Sequence, residues 1–290
     1  MKTHKKNNYL GYLLILPTFS LFFIFFIIPL FYSFYLGFIE WNGFAENIKF
    51  VGLDNYTRLI EDKLFWNAFG NTLYYALFTV PICIIVSLIL SVLISEKVKG
   101  YSFLKGAYFM PYIISLIAVA VVWAWIYSPG TFGLLNSFLK LFGIKPQNWL
   151  GNPDLAMTSL IIIGVWKSMG YNIIIFIAGL KSIPVSLYEA ATIDGASPFQ
   201  QFKNITLPQL MPTIFFITVT STIYAFFQVF DVINGMTQGG PTGATEVLVT
   251  YLYKVGFKQF EVGYASAIAF VLFVMIILIT VIQKKFLEEK

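Results

Sequence analysis

Lys167 stands in the middle of a long apolar run, and Ser168, Tyr171 and Asn172 follow it closely. Ser168 and Tyr171 are three residues apart, the spacing that puts two side chains on one helix face. A second group, Tyr224, Phe226, Phe227, Gln228 and Asp231, closes another apolar run. Aromatic faces beside hydrogen-bonding groups are the chemistry that holds sugars in a largely preformed cavity. They do not supply the means to cleave a bond. The single histidine, His4, lies in the N-terminal tail, and the single cysteine, Cys83, lies inside an apolar run. Histidine catalysis, a cysteine metal cluster and an internal disulfide therefore lack their residues. Two readings of Lys167 stand side by side: an interior lysine satisfied by carbonyls or water, or a residue on a solute path. For the other residues the alternative is helix packing or lipid contact, a strong one in a chain with 31 phenylalanines.

The elements that carry these residues are membrane spans. The 290 residues are 58% hydrophobic and 11% charged, against about 25% charged in soluble domains. A soluble fold cannot hide that much apolar surface. About 20 apolar residues cross a bilayer as a helix, and six runs qualify: 10–38, 69–95, 107–127, 155–180, 209–230 and 262–283. The runs are continuous rather than alternating, which excludes a barrel. Helices are required because lipid offers no partner to a free N–H or C=O. The first run is too long for a signal peptide and has no small-residue cleavage site, so it reads as a span. Pro17 and Pro29 are expected near its ends or at a kink. The fold class is an all-α integral membrane protein, with residues 1–290 as one transmembrane domain.

Basic residues orient the spans. With the N-terminus inside, Lys2, Lys5, Lys6, Lys97, Lys99, Lys105, Lys181, Lys203, Lys284, Lys285 and Lys290 are cytoplasmic. Lys49, Arg58, Lys63, Lys140, Lys145, Lys254 and Lys258 are outside, on longer loops. Both termini are thus expected in the cytoplasm. The net charge of +5 serves this orientation and is no sign of nucleic-acid binding.

The loop 181–208 between the fourth and fifth runs carries its own local code. Pro184 suits a first helical position, and Val185–Ile193 continues the helix. Gly195 fits a left-handed cap. Ser197 and Gln200 form a capping box around Pro198. Leu207-Pro208 is expected to end the second helix. Val185, Tyr188 and Thr192 are spaced to share a face. Ala190, Ala191 and Ala196 permit close approach by another surface, and Glu189 can pair with a basic residue on it. Two readings are open here too: a rigid docking knob, or a connector lying flat on the membrane.

A solute carrier needs an energy source. Ion-coupled carriers often keep carboxylates near the bilayer midplane, and the cores of all six runs contain no Asp or Glu. Nor does the chain have a G-x-x-x-x-G-K-[ST] phosphate loop. It is either passive, as a secondary carrier or channel would be, or driven by another chain. A membrane-embedded enzyme would need a nucleophile or metal constellation, and the spans hold none.

Glu189-Ala190-Ala191, then Gly195, then Ile205-x-Leu207-Pro208 resembles the EAA loop of binding-protein-dependent ABC importer permeases. Weaker matches extend over most of the chain: Met110-Pro111, Trp123-x-Trp125, Gly133-Leu-Leu-Asn136, Trp166, Gly170-Tyr171, Ala178-Gly179-Leu180, Phe230-Asp231 and Met236-Thr-x-Gly-Gly-Pro241. These look like sugar permeases of the maltose/multiple-sugar group, the first of two permeases, in the shorter lactose/raffinose/glycerol-phosphate type. The resemblance implies a type I ABC importer permease fold in the bacterial plasma membrane, a transport subunit with no enzyme activity of its own. Implied partners are a second, homologous permease forming a heterodimer, two ATP-binding subunits and an extracytoplasmic solute-binding protein. No cofactor is expected, ATP being held by the partner. It also implies that Glu189, Ala190, Ala191, Asp194, Gly195, Ile205, Leu207 and Pro208 form the coupling element. The substrate path would include Lys167, Ser168, Tyr171, Asn172, Phe226 and Gln228. Tyr171 falls at an aromatic sugar-contact position, and Phe226 replaces an amide of the maltose permeases.

Overall fold

A computed structural model describes residues 8–44, 48–95 and 101–288. Lys2, His4, Lys5, Lys6, Lys97, Lys99 and Lys290, with the Lys105 side chain, lie outside the described residues. Nearly all regular structure is helical, and the chain divides into two compact units.

The first unit comprises Met1–Asp62 and Leu252–Phe273. Helix α1 (Asn8–Phe22) passes through a π-helical turn, Phe23–Ile27, into α2 (Ile28–Leu36). Pro29 explains the turn. It has no N–H to bond and its ring crowds the carbonyl four residues back, so the preceding turn widens and the Ile28 N–H reaches the Phe23 carbonyl. The span is apolar all round and exposes almost every side chain within its unit, as a helix meant for lipid or another chain does. A short antiparallel pair, β1 (Ile39–Glu40) and β2 (Lys49–Phe50), leads to α3 (Asp54–Glu61). Asn55 donates to the carbonyls of Gly37 and Ile39, both at 3.0 Å. Arg58 pairs with Glu261 and lies 3.9 Å over the Tyr264 ring, whose hydroxyl donates to Asp62 at 2.6 Å.

The second unit, Lys63–Tyr251 with Val274–Lys290, holds the packed core. Its elements are α4 (Lys63–Ser95), α5 (Tyr101–Ile113), α6 (Leu116–Ile126), α7 (Leu134–Lys140) and α8 (Pro153–Ser182). There follow α9 (Val185–Ile193), α10 (Pro198–Gln201), a π turn at Phe202–Thr206, α11 (Leu207–Gln209), α12 (Met211–Phe227) and α13 (Val229–Met236). Helix α14 (Leu248–Tyr253), a third π turn (Lys254–Lys258) and α15 (Val262–Glu288) complete the chain. Helix α8 is central: α4, α5 and α12 pack on it, while α13 packs on α6. Gly170 permits the α5–α8 crossing, since a Cβ there would stand 2.1 Å from the Tyr108 carbonyl oxygen.

Five described helices are long and apolar enough to cross a membrane alone. The third apolar run corrects an expectation. It is not one helix over 107–127 but two, Gly106–Ile113 and Leu116–Ile126, bent by 105°; counted as one, the pair makes the sixth span. No local signal marks the break at Ile114-Ser115. What permits it lies on another helix.

Asn136 shows why a motif outside the spans matters. It is fully buried; its amide donates to the carbonyls of Ser128 and Gln147, and its oxygen accepts from the Gln147 N–H and the Trp149 indole. These four bonds fold the segment between α6 and α8. Replacing Asn136 with Ala strands several buried polar groups, each costing about 1–3 kcal/mol. Limited proteolysis is expected to cleave the 128–149 segment at least several-fold faster in that variant.

Candidate coupling loop and solute path

The loop helices form the knob that their residues encode. Gly195 has φ +77°, a left-handed conformation in which a Cβ is disfavoured. The Ala196 N–H bonds the Ala191 carbonyl at 2.9 Å and the Gly195 N–H bonds that of Thr192 at 3.1 Å. That is the Schellman pattern, which satisfies the last carbonyls of α9. Ser197 and Gln200 make the reciprocal capping box of α10. Gln201 ties the two helices, donating to the Thr192 hydroxyl at 3.0 Å.

The knob has an inner and an outer side. Tyr188 and Ile205 pack against Phe176, Ile183, Leu210 and Ile217 at the ends of α8 and α12, and the Tyr188 hydroxyl meets that of Thr206 at 2.8 Å. Ala191 is half-buried on this side, Leu207 is half-buried, and Pro208 is exposed. Glu189, Ala190 and Asp194 are exposed, as are Val185, Ile193 (86%) and Phe199 (73%). Three expectations are corrected. Val185 and Tyr188 do not share an environment, because Tyr188 turns inward to the spans. Leu207-Pro208 does not end the second helix. As at Pro29, a π turn precedes the proline, with the Leu207 N–H reaching the Phe202 carbonyl, so helical structure runs on to Gln209. Pro184, expected at a first helical position, is instead the N-cap, with ψ 128°.

In the middle of the unit, Lys167 is 6% exposed. Its Nζ donates to the carbonyls of Pro111 and Tyr112, both at 2.7 Å, and to that of Ile114. An ammonium has three protons to donate, and all three go to the broken third span. Asn172 is buried and bridges helices, donating to the Cys83 thiol at 3.3 Å and the Ser221 hydroxyl at 3.1 Å. Tyr171 stacks on Tyr112, ring centroids 5.0 Å apart, and meets Tyr224 edge-on at 6.3 Å. The Tyr112 and Tyr224 hydroxyls lie 3.3 Å apart. Lys167, Ser168, Tyr224 and Gln228 line a cavity of about 30 Å³ together with Tyr75, room for water rather than a sugar. Phe226 does not join them. It is fully buried beside a separate apolar groove lined by Leu77, Val80, Ile84, Thr222 and Ile279.

Tyr112 and Tyr75 were missed from sequence. Tyr112 sits in an unbroken apolar run where no period marks it. Tyr75 carries a signal only in a remote glycine: a Cβ on Gly164 would stand 2.2 Å from the Tyr75 hydroxyl.

The pattern of the family described as binding-protein-dependent transport system inner membrane component matches residues 63–288. The probable ABC transporter permease protein YurN of Bacillus subtilis (strain 168) is 36% identical over 287 residues, covering 98% of this chain and 97% of that protein. The sn-glycerol-3-phosphate transport system permease protein UgpA of Escherichia coli (strain UTI89 / UPEC) is 36% identical over 285 residues, covering 98% and 96%. Among solved structures, one chain of a bacterial alginate ABC transporter, in complex with alginate pentasaccharide-bound periplasmic protein, superposes with a TM-score of 0.83. It is 25% identical, with 97% of this chain and 94% of that one covered.

Proposed function

Since this chain belongs to the binding-protein-dependent transport system inner membrane components, we propose that it is one permease of an ATP-driven importer of a carbohydrate. The observation that carries the coupling is the knob: capped at both turns, anchored inward by Tyr188 and Ile205, and apolar outward at Val185, Ile193 and Phe199. An ATP-binding subunit docked on that outer side moves α8 and α12 together, because the anchor joins the ends of both. Glu189, Ala190, Asp194 and Gly195 meet the partner. Ala191, Ile205, Leu207 and Pro208 hold the knob to the spans. ATP stays on that subunit, and this chain needs no cofactor.

Ser168, Tyr171, Tyr224 and Gln228 belong to the solute path, Lys167, Asn172 and Phe226 to its supporting walls. The small cavity at their centre opens as α8 and α12, moving together, shift against α4 and α6. The basic-residue bias of the sequence supports cytoplasmic termini. A second, homologous permease completes the path, two ATP-binding subunits drive it, and an extracytoplasmic solute-binding protein delivers the solute. The alginate transporter that this chain resembles is seen with such a periplasmic protein.

Reconstitution with the second permease, the ATPase and the binding protein tests the reading. Radiolabelled raffinose, lactose and sn-glycerol 3-phosphate serve as probes. ATP-dependent uptake of an oligosaccharide, several-fold above the phosphate ester, is the expected result. Uptake that persists without the ATPase would identify a self-contained carrier or channel and overturn it.

A further inference from the structure

A helix that ends inside a membrane leaves its last carbonyls without partners, and lipid supplies none. Helix α5 ends this way at Ile113, and α6 departs at 105°. Ser115, at the N-cap of α6, makes no side-chain capping bond, so its own hydroxyl does not cap the break. Lys167 on α8 meets it with three donors, one each to Pro111, Tyr112 and Ile114. The ammonium also sits at the negative end of the α5 dipole. One helical turn further along α8, Gly170 brings the α5 backbone into contact, so the crossing and the cap act on the same stretch.

The same residue whose carbonyl is held, Tyr112, stacks its ring on Tyr171 and sets its hydroxyl against Tyr224. We infer that Lys167 is a positioning residue: it fixes the break in the third span and thereby places Tyr112 against Tyr171 and Tyr224 on the solute path. It acts through the backbone of its neighbour and not by touching solute. The bend is a property of this chain alone. The effect on solute rests on the importer reading given above.

Spin labels report the bend directly. Cysteines replace Phe103 on α5 and Val121 on α6, both well exposed, while the buried Cys83 stays unlabelled. In the assembled transporter the wild-type pair gives one narrow distance distribution. Lys167→Met, which keeps the chain length and removes the donors, broadens or shifts it; Lys167→Arg, which keeps donors and charge, restores it. Raffinose uptake through the same variants, or lactose if raffinose is not taken up, shows KM raised about tenfold in Lys167→Met, a loss of the size of one hydrogen bond. Its maximal rate changes less, and Lys167→Arg lies close to wild type. If Lys167→Met does not assemble, Lys167→Gln, with two donors, takes its place.

An unchanged distance distribution in the donor-free variant overturns the inference. So does a broadened distribution with unchanged KM, which would leave the break unconnected to the tyrosines. Failure of ATP-dependent uptake in the wild type would defeat the importer reading instead, while the distance measurement still decides whether Lys167 holds the break.

Discussion

Gly195→Val is expected to reduce ATP-driven uptake at least tenfold while the protein still inserts and assembles its spans. Gly195 has φ +77°. A β-branched side chain in the left-handed region costs about 1–2 kcal/mol, enough to shift the α9 cap towards other geometries. Among the described residues, its two chain neighbours aside, nothing lies within 4 Å of a Cβ placed there. Any loss therefore comes from the cap and from the surface offered to a partner, since no internal clash exists to unfold the spans. Gly195→Asn tests the cause, because asparagine tolerates this conformation better than other residues with a Cβ. It is expected to keep a substantial part of the uptake. Measured together, uptake, ATPase activity and membrane insertion separate the outcomes. Wild-type uptake in Gly195→Val would remove the knob from the coupling mechanism.

The second large effect is expected at Gly170. A Cβ there would lie 2.1 Å from the Tyr108 oxygen and 3.1 Å from the Phe109 Cα, both backbone atoms that cannot swing aside. Even alanine must push α5 away from α8, and overpacking of this kind costs about 1–3 kcal/mol. Gly170→Leu adds a full side chain at the crossing and is expected to yield little folded protein. The control is Gly106→Ala on α5, where nothing among the described residues lies within 4 Å of a new Cβ. That change relieves a helical glycine, worth up to about 1 kcal/mol, and should be neutral or stabilising. Size-exclusion profiles of the detergent-extracted variants, with thermal aggregation midpoints, check the ranking. A folded Gly170→Leu with an unchanged midpoint would mean that the α5–α8 contact does not hold the unit together.

Both effects trace to glycines whose roles have different visibility. Gly195 was readable from its neighbours. It follows a short helical stretch and precedes Ser197, Pro198 and Gln200, so capping rules alone put it in the left-handed region. Gly170 was noticed only as part of a family resemblance. Its physical reason, the approach of the Tyr108 backbone, lies about 60 residues away and leaves no local trace.

The positions of the apolar runs, the helical character of the spans and the capping of the 181–208 loop follow from the sequence by itself. These depend on composition and on neighbours within a few residues, where lipid and backbone hydrogen bonding leave few choices. Lys167 is of another kind. Sequence placed a charge at mid-depth and left two readings. The tertiary structure alone shows it bound to three carbonyls at a bend that the apolar run conceals. Only the fold separates Phe226 from the residues around Tyr171, turns Tyr188 inward, and brings Tyr112 beside Tyr224. Each of these depends on where a second helix lies, and packing between apolar helices leaves no period in the sequence of either one.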